Sequence, residues 1–136
     1  MVQSRAIYSY IADKYNLAPQ DPDARYKGQV AECLYWDDFF DLYVPKAIWA
    51  ETNREAMMEE LTKKTAPEFA QKLMTLFPKD HPHKFLTSDQ ITIYDIFIGG
   101  FFVNIVLNPN SRDPALWKRF WDEDVPDRIK QFVSDF

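Results

Sequence analysis

The fold is decided by residues 91–107, which read ITIYDIFIGGFFVNIVL. Thr92 and Asp95 have the spacing of a capping box, in which the threonine hydroxyl accepts from the backbone N–H of Asp95 and the carboxylate accepts from that of Thr92. We assign both side chains to folding alone, since such a cap stabilises a helix by about 1 kcal/mol. The nearly unbroken apolar run that continues to Leu107 predicts a central, buried helix.

Gly99 and Gly100 lie in the middle of this helix. Each glycine costs about 1 kcal/mol in a helix interior relative to alanine. We therefore expect another helix to approach closely at this pair. The apolar stretch 96–107 would be about 18 Å long as a helix, against a hydrocarbon core of about 30 Å, so we predict no membrane span.

The rest of the chain also has helical periodicity, because apolar residues recur every three or four positions and no Asn-Gly or Asp-Gly hairpin turn is present. We predict an all-α fold with three parts. Residues 1–15 form a first helix with Ser4 as its N-cap, and residues 16–22, which include two prolines, form a linker. Residues 23–136 form a helical domain.

The helical domain is expected to open with a long helix over residues 23–49, broken at most near Pro45. Asp37 projects from an apolar half of this helix, where an unpaired carboxylate is costly, so we expect a partner for it. Apolar side chains also cover the other half, so the helix needs two partners, one of which could be another chain or a ligand pocket. One half presents Tyr26, Val30, Cys33, Leu34, Trp36, Phe40 and Val44, and the other presents Ala31, Tyr35, Phe39, Leu42, Tyr43 and Trp49.

A second long segment, residues 54–77, is either one bent helix or two helices in tandem. Thr65 could cap a new helix that has Pro67 in its first turn. Two short amphipathic segments, 114–121 and 126–136, close the chain.

Composition and charge exclude several classes of function. The 136 residues are 46% hydrophobic, which is enough for one domain with a core. The net charge of −5 has the wrong sign for a phosphate-binding surface, so we predict no nucleic-acid partner. Three glycines cannot build a phosphate-binding loop or a dinucleotide-binding motif. One cysteine, Cys33, and two histidines, His81 and His83, are too few for a structural zinc site, so we predict no metal. We expect Cys33 to be buried and the protein to be cytoplasmic.

Three separated pieces of the sequence resemble the cytosolic glutathione S-transferases. Residues 3–7, Gln-Ser-Arg-Ala-Ile, are similar to a Glu/Gln-Ser-x-Ala-Ile helix of that family, and residues 85–95 are similar to its helix-start motif in the C-terminal domain. Residues 36–39 and 65–68 resemble the sigma class in particular. Ser88 and Tyr94 depart from the family pattern, which usually has glycine and alanine at these places.

The resemblance implies a fold and a missing half. Residues 23–136 would be the helical bundle of a glutathione S-transferase C-terminal domain, and residues 1–15 the last helix of an otherwise absent N-terminal thioredoxin-like domain. In the family that domain supplies the catalytic residue and most of the glutathione site. The resemblance therefore implies no catalytic residue in this chain and no activity for the chain alone.

The resemblance also implies a part of the glutathione site. Gln3 and Ser4 would hold the glutamyl end of glutathione, and Asp38 would reach across a dimer interface to the glutathione amino group in the neighbouring subunit. Each has a plainer alternative, since Ser4 could be an ordinary N-cap and Asp38 a carboxylate bonded within the bundle or solvated. A run of aromatic residues could line an electrophile pocket, form a dimer face or pack in the core. It consists of Tyr35, Trp36, Phe39 and Tyr43.

The first helix presents Ile7, Tyr10 and Ile11 along one face, and burying such side chains stabilises by roughly 1.5 to 3 kcal/mol each. In the family this face packs on a sheet that the sequence lacks. We expect it to be covered by the helical bundle, by another polypeptide, or by residues upstream of Met1.

Two functions of different classes follow. In the first, the chain belongs to a sigma-like glutathione transferase lineage that conjugates or isomerises electrophiles, with glutathione as co-substrate and no tightly bound cofactor. In the second, it is a non-catalytic scaffold subunit of a larger assembly. In both cases we expect a protein partner or a homodimer to cover the first helix and the long aromatic helix.

Overall fold

The computed structural model describes residues 3–77, 80 and 83–136, with the backbone alone for residues 3 and 4. Over these residues the chain forms six helical runs and contains no strand, so the prediction of an all-α fold is confirmed. Four of the runs contain a five-residue π-helical turn, whose backbone hydrogen bonds reach one residue further than those of an α-helix. Nothing in the apolar spacing predicts these turns.

Helix α1 spans Gln3–Lys14. It begins before Ser4, so the prediction that Ser4 is the N-cap is wrong. The chain turns away at Asn16, whose φ of 55° is left-handed, a conformation that asparagine adopts more readily than most residues. In the connector, the carbonyl of Leu17 accepts from the backbone N–H of Ile93 at 2.9 Å. This bond joins the connector to the start of the central helix.

Helix α2 spans Pro22–Tyr35, a π-helical turn covers Trp36–Phe40, and helix α3 spans Asp41–Ile48. The three segments form one continuous run, as predicted, and Pro45 does not break it. The run begins after Asp21, which caps it.

The two predicted halves of this run have different environments along α2 and the π-helical turn, but along α3 Val44 of the first half is buried and Trp49 of the second is exposed. Ala31, Tyr35 and Phe39 are buried against the rest of the bundle, whereas Tyr26 and Val30 are exposed. The bundle therefore supplies one of the two predicted partners, and the other half of the helix surface is open along α2.

Helix α4 spans Arg54–Glu60, a π-helical turn covers Leu61–Thr65, and helix α5 spans Ala66–Met74. This segment is also one continuous run, and Thr65 makes no capping hydrogen bond, so its predicted role as N-cap is wrong. Pro67 has no N–H to donate to the helical hydrogen bonds, but it lies directly after the π-helical turn, and the run continues through it without a new helix start.

Helix α6 spans Ile93–Phe101 and continues through a π-helical turn, Phe102–Val106. Both halves of the capping box between Thr92 and Asp95 are present. Asp95 is fully buried, and its carboxylate accepts from the backbone N–H of Thr92 at 2.8 Å, from the hydroxyl of Thr92 at 2.6 Å and from the backbone N–H of Leu86 at 2.9 Å. The bond from Leu86 connects the central helix to the preceding loop.

Helix α7 spans Pro114–Arg119 and runs into a π-helical turn, Phe120–Asp124, and helix α8 spans Asp127–Asp135. Within the part of the chain that the structure describes, no helix is long and apolar enough to cross a membrane. The core between the helices is largely aromatic. Its largest fully buried side chains include Trp117, Phe39, Phe77, Phe101, Phe102, Phe120 and Phe132.

The glycine pair of α6 has one close neighbour. A β-carbon on Gly99 would lie 2.7 Å from the ring of Phe136, so the predicted close approach exists there and comes from the end of α8. Gly100 meets only the side chain of Asn104 at 3.7 Å, one turn away on the same run, so the prediction is wrong for Gly100. The run is central, but one side of it is open at Ile96 and Val103.

Candidate functional site

Most of the predicted site residues lie on or beside the π-helical turn Trp36–Phe40. This turn contains one more residue than an α-helical turn, so it rotates the side chains that follow it relative to a regular helix. Neighbouring residues of this segment contact three different parts of the molecule: α1, the core, and the side formed by α4 and α5.

Asp37 points toward α1 and is paired with Arg5. Nη1 of Arg5 donates to Oδ2 of Asp37 at 3.3 Å, and Nη2 contacts Oδ1. The guanidinium lowers the pKa of the Asp37 carboxyl, and the carboxylate in turn raises the pKa of Arg5. The expected partner of Asp37 is therefore a residue of α1, and the pair connects α1 to the long run.

Trp36 also lies on the α1 side, in an aromatic cluster with Tyr8 and Phe97. The ring centroid of Tyr8 is 6.3 Å from that of Trp36 and 4.8 Å from that of Phe97, and Trp36 and Phe97 are 5.8 Å apart. Nε1 of Trp36 is buried without a hydrogen-bond partner. A buried donor left unpaired costs about 1–3 kcal/mol.

Tyr35 and Phe39 belong to the core. Phe39 is 1% exposed and stacks on Phe69 with ring centroids 4.3 Å apart, and the ring of Phe101 meets it edge-on at 5.2 Å. Tyr35 is buried beside them, and burial raises the pKa of its hydroxyl. For these two residues the structure favours core packing over a pocket wall or a dimer face.

Asp38 and Tyr43 point away from α1. Both line a cleft of about 140 Å³ that also contains Glu68 and Lys72 of α5. Asp38 also borders a larger groove of about 510 Å³ between α2 and α5. No described residue of α1 lines either space, so the long run separates Asp38 from α1.

Gln3 and Ser4 occupy the first turn of α1, and their side chains lie outside the described part of the structure. Their neighbour Arg5 reaches Asp37, not Asp38. Within one chain, the three residues that the resemblance assigns to glutathione are therefore divided between two sides of the long run.

A small polar cleft of about 90 Å³ between α1, α2 and α6 contains groups that no motif indicates. Nε of Arg25 donates to the carbonyl of Pro19 at 3.1 Å, and Nη2 lies 3.9 Å from the carboxylate of Asp13. Glu32 lines the same cleft, and its burial raises the pKa of its carboxyl although Arg5 opposes the shift. The sequence gives only a weak signal that Glu32 belongs to a site, because it is a charged residue next to a buried helix position and is part of no motif.

Cys33 is free and exposed, so the prediction that it is buried is wrong. Partial desolvation, with the neighbouring Asp37 carboxylate, raises the pKa of the thiol and disfavours the reactive thiolate. His83 has Nδ1 3.8 Å from the carboxylate of Asp89, and His81 lies outside the described residues. Within residues 3–77, 80 and 83–136, no group of three side chains is arranged to hold a metal ion.

Helix α1 turns one side to the bundle and the other to solvent. Ala12 is buried and Tyr8 packs against the core, whereas Ile7 is 55% exposed, Tyr10 is 63% exposed and Ile11 is half-buried. The alternative in which the bundle covers the Ile7 and Tyr10 face is therefore wrong. The side of α1 that packs against the bundle is the one that carries Tyr8 and Ala12.

Sequence comparison does not place the chain in a family. No model of a known protein family matches it, and a search of the curated proteins also found no match. The geometry of the helices and of their uncovered surfaces therefore carries the functional argument.

Proposed function

We propose that this chain is the helical half of a sigma-like glutathione transferase, and that its α1 lies against a thioredoxin-like layer in the working protein. The observation that carries the proposal is the exposure of Ile7 and Tyr10 on a helix whose other side packs into the core. Covering such side chains is favourable by roughly 1.5 to 3 kcal/mol each. The all-α fold and the capping box before α6 are consistent with the same resemblance.

The residues near α1 have distinct tasks under this proposal. Gln3 and Ser4 lie in the first turn of α1, where the helix dipole favours a carboxylate such as that of glutathione. Trp36 and Phe97 pack edge-on next to α1, with ring centroids 5.8 Å apart, and would form the apolar side of an electrophile site there. Tyr35 supports Trp36 from the core, with ring centroids 4.8 Å apart.

Asp38 needs a second copy of the chain to take part. It lines the cleft and the groove on the side of α4 and α5, away from the start of α1 of its own chain. In a homodimer it would meet the glutathione amino group bound by the neighbouring subunit, as the resemblance implies. Its carboxylate is exposed and available for such a contact.

The chemistry itself belongs to the other half of the protein. Conjugation needs a group that stabilises the glutathione thiolate, and preorganised hydroxyl donors do this well. Tyr35 is buried in the core with a raised pKa, which makes it unsuitable for that task. The proposal therefore includes no catalytic residue in this chain. A cytoplasmic setting belongs to it as well, since an exposed free thiol fits a reducing compartment.

Calorimetry with glutathione tests the proposed function. The chain alone is expected not to bind glutathione, whereas a fusion that places the thioredoxin-like domain of a sigma-class transferase before residue 1 is expected to bind it. Replacing Ser4 by alanine in the fusion should weaken binding. Turnover of a chloronitrobenzene by the chain alone, or a folded fusion that does not bind glutathione, would contradict the proposal.

A non-catalytic interaction module is the second candidate, favoured by the groove between α2 and α5. Its walls include the exposed Tyr26 and Val30, together with Leu76 at the end of α5. A protein that inserts an apolar segment there would serve a scaffold function without any chemistry. Analytical ultracentrifugation and partner capture test the scaffold, because a chain that stays monomeric at tens of micromolar and captures no partner would contradict it.

A further inference from the structure

A cavity of about 540 Å³ opens at the end of the central helical run, on residues that the proposed function does not use. Its volume falls within the range of roughly 300–1,000 Å³ that is typical of small-molecule sites. The walls are mainly apolar. They include Val106, Leu107, Pro109, Pro114, Ala115 and Trp121.

The walls of this cavity are held in place without a ligand. The π-helical turn closes where the backbone N–H of Leu107 donates to the carbonyl of Phe102 at 2.8 Å. The side chain of Asn108 then accepts from the backbone N–H of Asn110 at 2.9 Å and donates to the carbonyl of Asn104 at 3.1 Å. A preformed site of this kind loses little conformational entropy when it binds a ligand.

The charged side chains at the rim neutralise each other. Lys118 and Asp122 are one turn apart and form an ion pair. The amide of Asn108 is already engaged on both its oxygen and its nitrogen. Because the chain also carries a net charge of −5, an anionic ligand is disfavoured. The cavity therefore suits a neutral ligand with few polar atoms.

We propose that this cavity binds a neutral ring compound, aromatic or alicyclic, against the indole of Trp121. The indole is supported from behind by Phe102, whose ring meets it edge-on with centroids 5.9 Å apart. Leu107 is 42% exposed, so a ligand would remove apolar surface from water.

The test uses the purified chain and the neutral dye N-phenyl-1-naphthylamine, followed through the NMR signals of the indole N–H groups. The chain has four tryptophans, and Trp121→Phe identifies the signal of Trp121. We expect a saturable shift of that signal with one dye per chain. The exposed Trp49, at the end of α3, is an internal control whose signal should stay in place.

Ala115→Phe fills the cavity from an exposed position and is expected to weaken dye binding about tenfold. Ala56→Phe makes the same change at an exposed position of α4 outside the cavity and should bind as the natural chain does. Leu107→Gln, at another residue that lines the cavity, gives a second weakened variant if Ala115→Phe does not fold. A Trp121 signal that stays fixed at saturating dye, or cavity variants that bind the dye unchanged, would overturn the proposal.

Discussion

The ring of Tyr94 on α6 fills the space that a side chain at Gly28 of α2 would need, because a β-carbon on Gly28 would overlap that ring. Both residues are buried, Gly28 on α2 and Tyr94 on α6. A glycine in one helix therefore permits a large aromatic residue in the other. Gly28 is the residue that accommodates the ring of Tyr94.

This contact predicts the effect of one methyl group. Gly28→Ala should lower the free energy of unfolding by about 1–3 kcal/mol, because Tyr94 must move out of a packed site. Gly100→Ala is the matched control, since its β-carbon meets only Asn104 at 3.7 Å, and it should raise stability by up to about 1 kcal/mol through helix propensity. Urea unfolding measures both, and equal effects of the two substitutions would show that the Tyr94 contact is wrong.

The capping carboxylate predicts a larger loss. Asp95→Ala removes the acceptor of two buried backbone N–H groups and should lower the free energy of unfolding by about 3 kcal/mol. An exposed N–H group would lose less, because water can take the place of the lost acceptor. Asp89→Ala is the control, because Asp89 accepts the same kind of bond from the backbone N–H of Lys84 at an exposed site. Its loss should stay below about 1 kcal/mol. Thermal unfolding of the two variants shows whether the loss of stability depends on the burial of the N–H groups. Equal losses for Asp95→Ala and Asp89→Ala would show that burial does not matter.

The pair between Arg5 and Asp37 predicts a dependence on pH. The guanidinium of Arg5 lowers the pKa of the Asp37 carboxyl in the folded state. The pair's contribution to stability is therefore fully present above the unfolded-state pKa of about 3.9, and it disappears as the pH falls through the lower folded-state pKa. Because both side chains are partly exposed, Asp37→Asn should cost at most about 1 kcal/mol at neutral pH.

The same variant should lose less stability than the natural chain on acidification, and added salt should reduce the difference between them. Asp41→Asn, an exposed acid one turn later, is the control. A pH profile that is identical for the natural chain and Asp37→Asn would contradict this role of the pair.

The environment of Cys33, the only cysteine, predicts that its thiol reacts slowly with alkylating reagents. Desolvation and the Asp37 carboxylate raise the pKa of Cys33, so its alkylation by iodoacetamide near pH 8 should be slower than that of a free cysteine despite its exposure. Asp37→Asn should accelerate the reaction, because it removes a negative charge while leaving Arg5 in place. A rate that does not respond to this substitution would show that Asp37 does not influence the thiol.

Much of the helical framework could be predicted from local patterns. The start of α6 follows from Thr92 and Asp95, whose contact depends only on their spacing, and the continuity of the long run follows from its apolar period. The predicted cap at Thr65 failed because the choice between a new helix and a π-helical turn is made by packing and not by cap residues.

The directions of the site residues could not be predicted either. Trp36 and Phe39 are three positions apart, so helical spacing puts them about 60° apart and does not tell which of them contacts α1 and which packs in the core. The pairing of Arg5 with Asp37 joins residues 32 positions apart, which no local pattern contains. On α1, both sides of the helix carry apolar residues, so the sequence alone does not decide whether Tyr8 or Ile7 faces the bundle.

Association with a separate thioredoxin-like domain of a sigma-class transferase tests most directly whether the outer side of α1 is built to lie against a second layer. Titration calorimetry should detect binding to the natural chain and none to Ile7→Ser/Tyr10→Ser, although that variant should unfold at the same urea concentration. Trp49→Ser/Val103→Ser, which changes one aromatic and one aliphatic residue that are also exposed, should bind like the natural chain. Binding that survives the change at Ile7 and Tyr10, or no binding by the natural chain, would contradict the account.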